Sequence, residues 1–154
     1  MHIRTVGCLA LVVVGACGGR SRPETAAKPD AQYLTPYGPP TRPFSPAVRV
    51  GNMLYLSGQI GTPSPTATAV VPGGIEAETR QTLENIKDVL IKTGSSMDRV
   101  VKCTAMLADM REWDRMNVIY ASYFPTNKPA RSALGANGLA LGARVEIECW
   151  ATVG

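Results

Sequence analysis

An α+β fold, a mainly β layer with two helices packed on one face, is what this 154-residue sequence predicts. Three observations carry the prediction. The stretches "RVVKCTAML" and "ARVEIECWATV" alternate apolar and polar residues with the period of a half-buried strand. Ile75 to Thr93 instead repeats its apolar and small residues every 3.6 positions, as an amphipathic helix does. The element order β-β-α-β-α-β-β then mixes hairpin strands with crossover helices, which places both helices on one side of the sheet.

The elements follow in chain order. "MHIRTVGCLALVVVGAC" has a short basic start at Arg4, an apolar run from Val6 to Ala16 and a small-residue exit. Eleven such residues are too few for a membrane span, which needs about 20, so residues 1–16 read as a cleaved export signal. Val14-Gly15-Ala16-Cys17 also resembles the bacterial lipobox, which would make Cys17 the lipidated first mature residue of a membrane-anchored, cell-envelope lipoprotein, in the periplasm or on the outer membrane; free secretion is the alternative. Residues 17–41, rich in Pro, Gly and small polar residues, read as a tether, and residues 42–154 as the folded domain.

Within that domain "AVRV", "GN" and "MLYLSGQI" form a hairpin signal, Gly51-Asn52 supplying the positive φ of a tight turn. A Pro/Gly-rich loop leads to the first helix, whose stripe is Ile75, Thr79, Thr82, Leu83, Ile86, Val89, Leu90 and Thr93, with Gly94 as its C-terminal stop. In the next strand Val101, Cys103, Ala105 and Leu107 share one face, with Val100, Lys102, Thr104 and Met106 on the other. A second helix runs from Arg111 to Tyr123, with Asp109 as N-cap and Pro125 beyond its end. In the last strand Val145, Ile147, Cys149, Ala151 and Val153 oppose Arg144, Glu146, Glu148, Trp150 and Thr152. Two helices cover one sheet face only. The other, carrying Met53, Tyr55, Met106, Glu146, Glu148 and Trp150, is left for subunit contacts and a ligand cleft.

Composition excludes several chemistries. The single histidine, His2, lies inside the signal, so the mature chain has no Ser/His/Asp triad, no Cys/His dyad and no histidine metal site. From Thr41 onward 12 basic residues face 10 acidic ones without clustering, which argues against nucleic acid as a partner. Cys103 and Cys149 fall on apolar strand faces; an oxidising compartment would permit a disulfide, but two cysteines in separate strands read first as small core residues.

Four blocks, "PFSPAVRVGNMLYLSGQI", "TRQTLENIKDVLIKTGSSMDRVVKCTAML", "YFPTNKPARSAL" and "VEIECWA", resemble in order and spacing the Rid family, also called YjgF, the reactive-intermediate deaminases. The resemblance implies a chorismate-mutase-like fold, a homotrimer with clefts between subunits, and hydrolysis of 2-imino acids to 2-keto acids and ammonia with no metal and no organic cofactor. Carried over residue by residue, it makes Arg131 the anchor of the substrate carboxylate, by a planar two-point contact lysine cannot reproduce. Glu146 becomes the general base toward water, or the group that positions it. Ser57-Gly58 and Arg131-Ser132 hold the rest of the substrate with backbone groups. Phe44 and Trp113 read first as packing residues and second as walls of the pocket. Ala133 stands where many members have cysteine, Phe44 where many have tyrosine, and the loop "GANGLALGA" is smaller and more apolar than usual. The same arginine would also serve a non-catalytic binder of small carboxylates in the cell envelope, the alternative to the enzyme; RNA cleavage or chaperone-like holding is a third reading.

Overall fold

The computed structural model describes residues 30–39 and 41–154. The signal and lipidation readings at residues 1–16 and Cys17 lie outside the described residues.

Among the described residues, seven strands form one sheet: β1 (Ala31–Leu34), β2 (Ala47–Val50), β3 (Met53–Leu56), β4 (Gln59–Ile60), β5 (Val100–Leu107), β6 (Ala130–Gly135) and β7 (Val145–Thr152). Their order is β1-β2-β3-β7-β5-β6, with β4 also paired to β7. Two helices, α1 (Gly74–Lys92) and α2 (Trp113–Ser122), lie on one face. Every strand pairing is antiparallel except β5 with β6, which the α2 crossover makes parallel. The α+β class is as the sequence predicts, with one boundary corrected: Ala31–Leu34, read as tether, pairs with β2 in the register Ala31↔Val50 to Leu34↔Ala47 and so belongs to the domain. Its four residues are too short and too exposed to show a hydrophobic alternation.

Local chemistry sets the element ends. Gly51 takes φ 61° in the two-residue turn between β2 and β3, the conformation that only glycine adopts without strain. Helix α1 ends in a Schellman motif: Gly94 has φ 81°, the Gly94 N–H reaches the Ile91 carbonyl at 3.3 Å, and the Ser95 N–H reaches that of Leu90 at 2.8 Å. The Asp109 side chain accepts from the Arg111 N–H at 2.9 Å, capping a 3-10 turn, Met110–Glu112, that precedes α2.

The core lies between helices and sheet. Ile75, Leu83, Ile86 and Leu90 of α1 are fully buried against Leu54, Ala105, Leu107, Val145 and Ile147, each large aliphatic side chain contributing about 1.5–3 kcal/mol. The β5 pattern differs at its start: a bulge between Val100 and Lys102 turns Val100 inward and leaves Val101 43% exposed, the reverse of simple alternation. Cys103 and Cys149 stand opposite each other on β5 and β7 and form a disulfide, with both residues buried in the core. Reading them as free core cysteines is thereby corrected. Their register brings the Cα atoms to 4.1 Å, short enough for a bridge.

Candidate active site

The uncovered sheet face presents Met53 and Tyr55 of β3, Lys102, Thr104 and Met106 of β5, Ser132 and Leu134 of β6, and Glu146, Glu148 and Trp150 of β7. Tyr55 and Trp150 pair directly across β3 and β7, their ring centroids 5.2 Å apart edge to face. Lys102 donates from Nζ to Ser132 Oγ at 2.8 Å.

Glu146 sits on this face at the end of β7 nearest β4, half-buried and opposite Met106. Gly58 makes room for it. A β-carbon at position 58 would come within 2.9 Å of the Glu146 carboxyl carbon and closer still to Oε1. Burial first, and the Glu148 charge second, hold the Glu146 pKa above the ordinary glutamate value. Among the described residues this carboxylate has neither ion pair nor hydrogen bond.

Phe44 and Gly58, with Tyr37, Arg42, Asn85 and Pro63, line a cavity of about 370 Å³ between α1 and the loop after β4. Asn85 shapes that loop by donating to the carbonyls of Ile60 and Thr62 at 3.0 and 2.9 Å. The Ser57 hydroxyl is already engaged, donating to the Ser45 carbonyl at 2.7 Å.

Arg131 lies elsewhere. On β6 it alternates with Ser132, so its side chain leaves the opposite sheet face, toward α2. There its guanidinium carbon stands 4.5 Å from the Tyr120 ring centroid and 5.1 Å from that of Trp113. No ion pair engages it among the described residues. Arg131 is level with Cys103 and Cys149, while Glu146 is three residues further along β7 and two strands away. That separation is on the order of 14 Å along the sheet, on opposite faces. One chain therefore sets Gly58 against Glu146 and Arg131 beside Trp113 in separate places, with Phe44 in the cavity that Gly58 also lines and the Ser132 side chain facing away from Arg131.

Sequence reasoning missed two groups of residues. Tyr120 fell only within the span expected for the second helix, though its position seven residues after Trp113 puts both on one helix face. Glu78 and Glu112 gave no signal: both are buried, Glu78 accepting from the Arg144 N–H at 2.8 Å and Glu112 from Arg144 Nη1 at 2.7 Å, which pins the start of β7.

Residues 36–153 match the family described as endoribonuclease L-PSP. The chain is 42% identical over 112 residues to the mouse 2-iminobutanoate/2-iminopropanoate deaminase, covering 73% of this chain and 82% of the relative. It resembles the crystal structure of yeast Mmf1 with a TM-score of 0.73 at 35% identity, covering 81% of this chain and all of the other. A third similarity, at TM-score 0.69 and 26% identity, is to the crystal structure of E. coli TdcF with bound serine, covering 79% and 98% of the two chains. By the extent of the family match and the identity to its relatives, this chain belongs to the Rid/YjgF (L-PSP) family.

Proposed function

We propose that this protein hydrolyses 2-imino acids to 2-keto acids and ammonia. The observation that carries the reading is Glu146: a half-buried carboxylate with no protein partner among the described residues, its pKa raised by burial, set where Gly58 lacks a side chain. Relatives named imine deaminases at about 40% identity support the same chemistry.

In this reaction Arg131 grips the substrate carboxylate in the plane of its guanidinium. A water beside Glu146 loses a proton to the carboxylate as its oxygen bonds to C2 of the imine, giving a tetrahedral carbinolamine. That proton passes to the nitrogen, and Glu146 then relays the remaining hydroxyl proton to the same nitrogen as the C2–N bond breaks, so that ammonia leaves and the C2–O bond becomes the keto group. Imines hydrolyse readily, so holding water and imine carbon in line supplies much of the acceleration.

Arg131 and Glu146 face opposite ways within one chain, so the proposal includes a homotrimer in which the Arg131 of one subunit meets the Glu146 of its neighbour. The exposed Tyr55–Trp150 face favours such an assembly, because apolar surface of this kind is the usual material of subunit contacts. Export and lipidation at Cys17 belong to the same proposal; the Cys103–Cys149 disulfide favours an oxidising compartment. Cys17→Ser should release the protein from membranes, and unchanged partitioning would overturn the anchor.

The test generates 2-iminobutanoate in situ with a threonine dehydratase and follows 2-ketobutanoate release by the full-length chain. Acceleration lost in Glu146→Gln is the expected result. No acceleration over buffer, together with saturable keto-acid binding, would reject the enzyme and leave a carboxylate binder.

A further inference from the structure

Trp113 opens α2 and Tyr120 follows seven residues later, so their side chains leave the same helix face two turns apart, about 10.5 Å along the axis. The Arg131 guanidinium carbon is 5.1 Å from the Trp113 ring centroid and 4.5 Å from that of Tyr120, within cation–π reach of both. Tyr120 is 7% exposed, and its hydroxyl is buried without a hydrogen-bond partner among the described residues. What Tyr120 contributes here is therefore its ring, not its oxygen. Arg131 itself sits on β6, an edge strand of the sheet, so among the described residues no further strand flanks it on its far side.

We propose that Trp113 and Tyr120 are positioning residues that clamp the Arg131 guanidinium by cation–π contact with two aromatic rings, ordering its fork of N–H donors for a planar carboxylate. The inference rests on Arg131 being the carboxylate anchor. A guanidinium held by two rings is ordered before a ligand arrives, and its five N–H donors lie in one plane as a fixed fork. A carboxylate approaching in that plane accepts two parallel bonds from a group that is already ordered, so little rotamer freedom remains to be lost on binding. A neutral amide of the same shape offers one acceptor oxygen and a repelled NH₂. Trp113 is thus a residue that acts through Arg131 rather than a wall of the pocket.

The experiment measures kcat and KM of the full-length chain for 2-iminobutanoate, and the inhibition constants of 2-ketobutanoate and of its neutral amide. Trp113→Leu should raise KM about tenfold with kcat little changed, and weaken 2-ketobutanoate to the same degree, whereas Trp113→Phe should recover most of the affinity. The amide should inhibit neither form. If Trp113→Leu does not fold, the series Trp113, Trp113→Tyr and Trp113→Phe is read instead, with KM rising in that order; a flat series overturns the clamp. Unchanged KM in folded Trp113→Leu, with KM raised in Arg131→Ala, overturns the clamp and keeps the anchor. If the wild-type chain gives no acceleration, the deaminase reading fails, and the clamp is read from calorimetric 2-ketobutanoate binding in the same variants. A chain that neither hydrolyses the imine nor binds the keto acid overturns clamp and anchor together.

Discussion

The Glu146 carboxylate fills the space that a side chain at position 58 would take. Gly58 is thereby fixed by a neighbour's chemistry, not by its own backbone angle. Gly58→Ala should displace the carboxylate and lower kcat about tenfold or more, the scale of a misplaced general base. The fold should persist, since the clash is with a side chain and not with backbone. Single-turnover hydrolysis beside far-ultraviolet circular dichroism separates the two effects.

Arg131→Ala should raise KM for 2-iminobutanoate about tenfold to a hundredfold, the loss of charge-assisted hydrogen bonds worth about 1.5–3 kcal/mol. Arg131→Lys should recover little of this, because an ammonium offers no planar fork. A lysine variant with wild-type KM would remove the two-point contact from the mechanism.

The raised Glu146 pKa has a definite sign for both stability and rate. Between the unfolded and the folded pKa, the folded state holds the extra proton, so stability falls as pH rises through that window. Glu146→Gln should therefore be more stable than the wild type at neutral pH, with the difference vanishing at acidic pH where both states are protonated. The base works only when ionised, so kcat/KM should fall with decreasing pH at a point above the ordinary glutamate range. Glu148→Gln removes a nearby charge and should move that limb to lower pH. Thermal melts and rate profiles across pH check both halves.

Position 150 tests the assembly. Trp150→Arg places a charge in the Tyr55–Trp150 face and should shift a trimeric mass in solution toward monomer, with loss of hydrolysis. Light scattering of wild type and variant reads this directly, and an active monomer would dismiss the shared cleft.

Replacing both disulfide cysteines with alanine should lower unfolding free energy by about 2–4 kcal/mol, given the 46-residue separation they close. Denaturant titration of the folded variant measures it.

How much of this was legible in the sequence depends on which force sets each feature. The α1 stripe and the β7 alternation were readable because burial imposes a period, and Gly51 and Gly94 because each needs a positive φ. The edge strand β1 was not, since an exposed four-residue strand carries no hydrophobic pattern and exists only through β2. The inversion at Val100 was hidden because a bulge depends on the partner strand's register. For the site, the family resemblance pointed to Arg131, Gly58 and Glu146, but not to the division of Arg131 and Glu146 between opposite faces. Alternation along β6 and β7 is readable within each strand; the register that relates the strands is not. The disulfide belongs with these, because two cysteines on inward faces become a bridge only when the strands set them opposite each other.

That bridge also gives the protein a history. Cys103 and Cys149 are 1% and 0% exposed in the finished fold, and thiol–disulfide exchange requires an attacking thiolate to reach a sulfur along its bond axis. Oxidation therefore belongs to the interval before helices and sheet close over the pair, and reduction to rare openings of the core. Two batches of the same sequence, one folded before its thiols meet an oxidant and one after, would remain chemically different molecules under identical buffer, distinguishable by mass after alkylation in denaturant.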